Sequence, residues 1–356
     1  MKNVKSEVRA ISPYTLKEYD YEIKINQNEN PYDVPIELKR KILDFAFERS
    51  WSRYPPFVPE ELQKRLADYT GWYPEGILVG NGSNELIQSL LTIFLKKGDT
   101  LVLPSPTFTV YRLIGTVLGA EVVEVPLTHD YTFDCDALEK KFLDRGNMLI
   151  ICSPNNPTGT LYPLERLQKL IEKTDKPVIL DEAYFEFSRK TAVGLLKNND
   201  NLIVFRTFSK AFSLAGLRVG YGLMSPELAK EAGKAKLPYN INFLSIAAAI
   251  TLLENRHILE QSVNEIVKER ERLMPAMNEI KDVTVFPSDA NFILFKTPYD
   301  SDIVFEKILR DGVLVRNLSS NPTLANTLRV TVSKPSDNKI FIDSLTRVMG
   351  ELAKEG

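Results

Sequence analysis

The chain has 356 residues, 44% hydrophobic and 26% charged, a globular composition that argues against disorder or coiled coil and, at this length, suggests about two domains. Its 45 lysines and arginines nearly cancel its 47 aspartates and glutamates, leaving a formal charge of −2 and no block of like charge to steer a nucleic acid. With only Cys135 and Cys152, and only His129 and His257, neither a disulfide framework nor a zinc site is indicated, and chemistry built on several histidines is excluded.

The opening MKNVKSEVRA scatters charge where an export signal would be apolar, and the most apolar run, Ile241 to Leu253, is broken by Asn242 and Ser245. Neither a signal nor a membrane span is expected, and a reducing cytoplasm is the expected setting.

In chain order, residues 1–34 are polar and irregular and read as an arm lying over the structure, after which Pro35 opens a helix. From about residue 75 to 225 short β-branched runs alternate with helical periodicities, as a mostly parallel sheet covered by helices requires. Ile77 to Val79, Thr100 to Leu103, Glu121 to Val125, Met148 to Cys152, Val178 to Leu180, Leu202 to Phe205 and Val219 to Leu223 read as its seven strands. Helices are expected over Ser83 to Leu95 with Ser83 as N-cap, over Asp136 to Asp144 with an aspartate N-cap, and from Ser225-Pro226 to Pro238. Long helical stretches follow Asn242, including Ile258 to Met274 ahead of Pro275. The tail reads strand (Phe292 to Phe295), helix (Ile303 to Arg310), strand (Val313 to Val315), strand (Leu328 to Val332) and helix (Asp337 to Leu352). The expected organisation is an arm (1–34), a large α/β domain (35–250) and a smaller C-terminal α/β domain (251–356).

Polar signatures cluster just past the ends of the predicted strands, where open α/β sheets bind ligands. Gly80-Asn81-Gly82-Ser83-Asn84 runs from strand to helix and offers backbone N–H groups and a positive helix end to a phosphate, although an ordinary turn reads the same way. Ser153-Pro154-Asn155-Asn156-Pro157-Thr158-Gly159 has two prolines that stiffen it and leave the Asn156 amide as a directed donor; a surface turn is the alternative. Asp181-Glu182-Ala183-Tyr184 puts a carboxylate at the edge of a buried sheet, where it needs an arginine, a capped N–H or a cation such as a protonated pyridine nitrogen. Lys210 follows another buried strand and precedes an apolar segment, a setting that lowers a lysine's pKa and favours the neutral amine that forms imines. Ser209 and Arg218 flank it as phosphate donors.

In this order, together with SPY at 12–14, NENPY at 28–32 and LRVT at 328–331, the motifs NNPTG, DEAY and SK...LAGLRVGY resemble the class II aminotransferases among the fold type I pyridoxal phosphate enzymes, and most of all their histidinol-phosphate branch. The resemblance runs over nearly the whole chain. It implies a Schiff-base role for Lys210, Asp181 as partner of the cofactor's pyridine nitrogen, and Asn156 and Tyr184 as donors to its phenolic oxygen. Gly82, Ser83, Asn84, Ser209 and Arg218 would bind its phosphate, and Phe108 would stack on its ring. Tyr54 is implied to reach the cofactor of a second subunit, hence a symmetric homodimer, while Tyr14, Asn30, Arg316 and Arg329 are implied to form the pocket for histidinol phosphate and for glutamate or 2-oxoglutarate. Asn84 and Phe108 depart from the more usual aspartate and tyrosine, yet backbone N–H groups and ring stacking survive both changes. An aromatic amino-acid aminotransferase and a threonine-phosphate decarboxylase remain open as alternatives. A regulator built on this fold is disfavoured, because no basic helix-turn-helix segment precedes residue 35.

Overall fold

Alternating apolar runs and amphipathic helices build a layered α/β architecture in the computed structural model, which describes residues 3–11 and 17–355. The chain enters through α1 (Ser6–Arg9), β1 (Ile23–Lys24), α2 (Ile36–Glu48) and α3 (Glu60–Thr70). Next come β2 (Ile77–Asn81), α4 (Ser83–Phe94), β3 (Thr100–Ser105), α5 (Thr109–Leu118), β4 (Glu121–Pro126), α6 (Cys135–Arg145) and β5 (Met148–Cys152). The layer is completed by α7 (Leu164–Ile171), β6 (Val178–Asp181), α8 (Phe185–Ser188), β7 (Leu202–Thr207) and β8 (Val219–Leu223).

The seven strands that the sequence predicts form one sheet, in the order β2-β8-β7-β6-β5-β3-β4. Every neighbouring pair is parallel except those of β8, which runs antiparallel to both β2 and β7. The strands β2, β3, β5, β6 and β7 therefore all end on the same edge. The chain lays β4 outside β3 and then returns to place β5 on the other side, so the loops after β3 and β5 part and leave a crevice. Helices cover both faces, which is why β5, β6 and β7 are buried along their whole length.

After β8 the chain forms α9 (Pro226–Ala232), α10 (Phe243–Glu254) and α11 (Arg256–Asn278). A second unit follows with β9 (Thr284–Val285), β10 (Phe292–Lys296), α12 (Ser301–Arg310), β11 (Val313–Leu314), β12 (Arg316–Asn317), β13 (Thr327–Thr331) and α13 (Pro335–Glu355). Its antiparallel sheet has the order β12-β13-β10-β9, while β11 pairs parallel with β1 of the arm. The arm is thus stitched to the C-terminal unit, through strands too short to show a periodicity. Among the described residues no helix is long and apolar enough to cross a membrane.

Four local expectations are corrected. Ser83 is the first helical residue of α4 and Gly82 its N-cap, because a positive φ of 74° lets the chain turn from strand to helix there. Asp134, not Asp136, caps α6 by accepting from the Ala137 N–H. Helix α9 stops at Ala232 ahead of Gly233, well short of Pro238. Pro275 lies inside α11, whose last turn persists because Met277 is buried and the Glu279 N–H bonds to the Pro275 carbonyl.

Gly220 on β8 lies against the turn that precedes α4, and a Cβ there would meet the Ser83 nitrogen at 2.2 Å. Around Gly216 nothing lies within 4 Å of an added Cβ. In urea unfolding, Gly220→Ala should lower stability by roughly 2 kcal/mol or more, whereas Gly216→Ala should stay within about 0.5 kcal/mol of the parent.

Candidate active site

Loops from the shared edge of the central sheet close on one cavity of about 290 Å³. Ser83 and Asn84 reach it from β2, Phe108 from β3, Asn156 from β5, and Asp181 and Tyr184 from β6. Ser209 and Lys210 come from β7, Arg218 leads into β8, and Arg316 and Arg329 come from the C-terminal sheet.

The Lys210 side chain points into this cavity, with Nζ donating to the Gln27 carbonyl at 2.8 Å. Enclosure by protein pushes its ammonium down to about 7, and the Arg329 guanidinium pushes the same way. Near neutral pH a substantial fraction is the free amine.

Asp181 is buried at the end of β6. Its Oδ2 accepts from the Tyr111 hydroxyl at 2.6 Å and its Oδ1 from the Ala183 N–H at 3.0 Å. Burial pushes its carboxyl up to about 6, and those two hydrogen bonds oppose the shift. Both donors are neutral, so a cationic N–H in the cavity would complete the site.

Asn156 accepts from the Arg329 guanidinium through Oδ1, which leaves its Nδ2 as a donor. The Tyr184 hydroxyl accepts from Asn28 Nδ2 at 3.0 Å, so its own proton is left to donate elsewhere. Burial raises that phenol above its ordinary value and keeps it protonated. Asn155 ties the two parted loops together: its Nδ2 donates to the Pro106 carbonyl at 2.9 Å, and its Oδ1 accepts from Thr107 at 2.7 Å. Phe108 is thereby held beside the cavity, its ring edge-on to Tyr111 with centroids 5.4 Å apart.

At the far end, Arg218 Nη1 donates to Ser209 Oγ at 3.1 Å. A Cβ on Gly82 would meet Arg218 Nη2 at 2.5 Å, so only glycine lets the guanidinium lie against the start of α4. A helix N-terminus, a guanidinium and a hydroxyl converge there and form a cradle suited to one anion. Taken together, amine, buried carboxylate, directed donors and anion cradle fit pyridoxal phosphate. Among the described residues no group of three or more His, Cys, Asp or Glu side chains could hold a metal.

Not every predicted site residue joins this cavity. Asn30 faces an adjoining cleft, because its Nδ2 is taken by the Ala211 carbonyl at 2.8 Å and its Oδ1 by the Tyr32 N–H at 2.9 Å. It therefore lies outside the cavity the resemblance assigns it to, and it fastens the arm to the segment after Lys210. Tyr54 is exposed and stacks on Tyr239 with centroids 4.5 Å apart, away from this chain's own cavity. Tyr14 lies outside the described residues. Sequence reasoning missed Asn28, Tyr111 and Asn155, of which Asn28 and Asn155 belong to motifs it had singled out.

The chain belongs to the aminotransferase class I and II family, whose model matches residues 21–345. Within it the chain is 38% identical over 350 residues to the histidinol-phosphate aminotransferase of Caldanaerobacter subterraneus subsp. tengcongensis, covering 97% of this chain and 98% of that protein. It is 37% identical over 343 residues to the histidinol-phosphate aminotransferase of Thermococcus gammatolerans, covering 96% of each. The fold matches the crystal structure of histidinol-phosphate aminotransferase from Sinorhizobium meliloti in complex with pyridoxal-5'-phosphate. That match has a TM-score of 0.88 at 22% identity over 99% of both chains.

Because the Lys210 ammonium is held near 7, capture of a small aldehyde on Lys210 should rise with pH and level off just above 7, whereas surface lysines continue to gain reactivity towards about 10.4. Borohydride trapping and peptide mass spectrometry would read this. A Lys210 profile that tracks the surface lysines would contradict it.

Proposed function

We propose that this chain is a cytoplasmic enzyme transaminating histidinol phosphate with 2-oxoglutarate, giving imidazole-acetol phosphate and glutamate in histidine biosynthesis, with pyridoxal phosphate as cofactor. The observation that carries the substrate reading is the pairing of Arg316 with Arg329 across β12 and β13, both lining the cavity that holds Lys210. Like charges directly opposite on a sheet repel, and the phosphate dianion of histidinol phosphate or the carboxylates of glutamate relieve that repulsion. The names of the relatives at 37–38% identity support the same reading.

Pyridoxal phosphate, when bound, supplies an aldehyde carbon that takes the amino group and a ring that draws electron density from the substrate. The protein's part is positional and protonic. Arg218, Ser209, Gly82 and the first N–H groups of α4, at Ser83 and Asn84, bind the phosphate, and Phe108 stacks on the ring. Asp181 holds a proton at the ring nitrogen, while Asn156 Nδ2 and the Tyr184 hydroxyl orient the phenolic oxygen. Lys210 Nζ takes the proton from the substrate's amino-bearing carbon and returns it one step later. In this reading the arm (1–34), the large unit (35–250) and the C-terminal unit (251–356) each contribute residues to the site.

The protein acts as a homodimer in this reading, with Tyr54 entering the neighbouring subunit's site. Tyr54 and Phe57 both pack against Tyr239, and Phe47 and Trp51 nearby in sequence are exposed as well, apolar side chains that a second subunit would cover.

Lys210→Ala should abolish turnover and the absorbance band that arises from covalent attachment of the cofactor to Lys210, and Asp181→Asn should keep cofactor yet lose on the order of 10²-fold or more in kcat. Comparing kcat/KM for histidinol phosphate and phenylalanine tests the substrate: preference for phenylalanine, or carbon dioxide release from threonine phosphate, would overturn it. Isolated heterodimers of Lys210→Ala and Tyr54→Ala chains should recover about half of wild-type activity, since one of the two sites is then intact. No recovery would exclude a shared site.

A further inference from the structure

Tyr111 sits in the first turn of α5 with no exposed surface. Its hydroxyl makes the 2.6 Å hydrogen bond to Asp181 Oδ2, and its ring meets Phe108 edge-on at 82°. It lines the same cavity as both. One buried side chain therefore touches the carboxylate that would face the edge of a bound ring and the aromatic that would face its plane.

We infer that Tyr111 is a positioning residue that fixes Asp181 and Phe108 relative to each other, so that carboxylate and stacking ring present one preformed slot for a protonated pyridine. The inference rests on the pyridoxal phosphate reading of the cavity and adds to it a residue with no direct part in the chemistry.

Three features support it. The Oδ1 of Asp181 is held by the Ala183 N–H, so with Tyr111 on Oδ2 the plane of the carboxylate is set from two sides. Burial and the adjacent Asp181 raise the Tyr111 phenol well above its ordinary value, so it remains a proton donor throughout the working range. The hydroxyl also favours the ionised form of Asp181 against the desolvation that would neutralise it, and a pyridinium requires that ionised form. The other titratable groups facing Asp181 are Cys152 on β5 and Glu182 and Tyr184 in its own loop. Burial raises all three, and the cation of Glu182 is Arg206, so none supplies Asp181 with a positive charge.

The test is titration of pyridoxal phosphate onto the full chain freed of cofactor, followed by absorbance across pH. Tyr111→Phe keeps the ring that packs on Phe108 and removes only the hydroxyl. Its affinity for pyridoxal phosphate should fall roughly tenfold, the scale of one charge-assisted hydrogen bond. The acid limb of binding should move up by about one pH unit, because Asp181 then takes a proton more readily. In an Asp181→Asn background the same substitution should change affinity by less than about twofold, as coupling between the two residues requires.

Wild-type affinity and an unmoved acid limb in Tyr111→Phe would overturn the inference, as would an equal loss of affinity in both backgrounds, which would mark Tyr111 as mere packing. Thermal unfolding of the cofactor-free variants separates a folding defect from a binding defect. Failure of the parent chain to bind pyridoxal phosphate would instead overturn the cofactor reading itself, and this inference with it.

Discussion

Asp181 and Lys210 are ionisable groups of opposite sign held in one cavity under partial exclusion of water, and most of the surrounding structure serves that arrangement. Each is driven towards its neutral form, Asp181 with its carboxyl pushed up to about 6 and Lys210 with its ammonium pushed down to about 7. Neither shift would arise on a surface loop, where water solvates both charges. It arises because β6 and β7 are adjacent parallel strands paired Asp181 to Phe205, so their chains leave the sheet together on the edge covered by the C-terminal unit.

The strand that carries Asp181 also explains its neighbour. Successive side chains alternate across a strand, and Glu182 leaves Asp181 in the cavity while it turns towards Arg206, with carboxylate and guanidinium 2.9 Å apart and both buried. Thr191 and the Ala192 N–H complete the hydrogen bonding of that carboxylate, and the Arg206 guanidinium lies 3.5 Å from the Phe185 ring centre. A buried pair so fully bonded adds little net stability but would cost several kcal/mol to break. It locks the ends of β6 and β7 together, which keeps Asp181 and Lys210 in register.

The arm closes the arrangement from above. Its residues 26–28 bond to the functional side chains: the Asn26 carbonyl to Arg329, the Gln27 carbonyl to Lys210 and the Asn28 amide to Tyr184. The Asn28 N–H reaches Thr331 Oγ1, and the Asn28 carbonyl accepts from Asn291. A polar segment can be buried between two units only if its backbone groups find such partners. Asn28 adopts φ of 56°, a left-handed conformation that asparagine tolerates better than most residues.

The seven central strands, the helix-rich C-terminal half and the placement of Lys210, Asp181, Asn156 and Arg218 beside strand ends were legible in the sequence, because each depends on local pattern: β-branched runs, capping residues, and polar residues next to a strand end. The ends of α9 and α11 differ from the sequence reading, since Gly233 stops α9 before Pro238 is reached and the burial of Met277 outweighs the local preference of Pro275. Tyr111 carries no signal as a tyrosine in a helix, and Asn28, although inside the NENPY motif, gives no sign of its partner until the fold brings the two residues to Asp181 and Tyr184, 70 and 156 residues away. Asn30 was assigned to the cavity by its motif, yet tertiary structure turned it to the Ala211 carbonyl. The sequence by itself determined which chemical groups are present and that they sit at strand ends. Only the tertiary structure decided which of them share a cavity and how far their protons are shifted, because desolvation and hydrogen bonding depend on neighbours that the chain brings from far away.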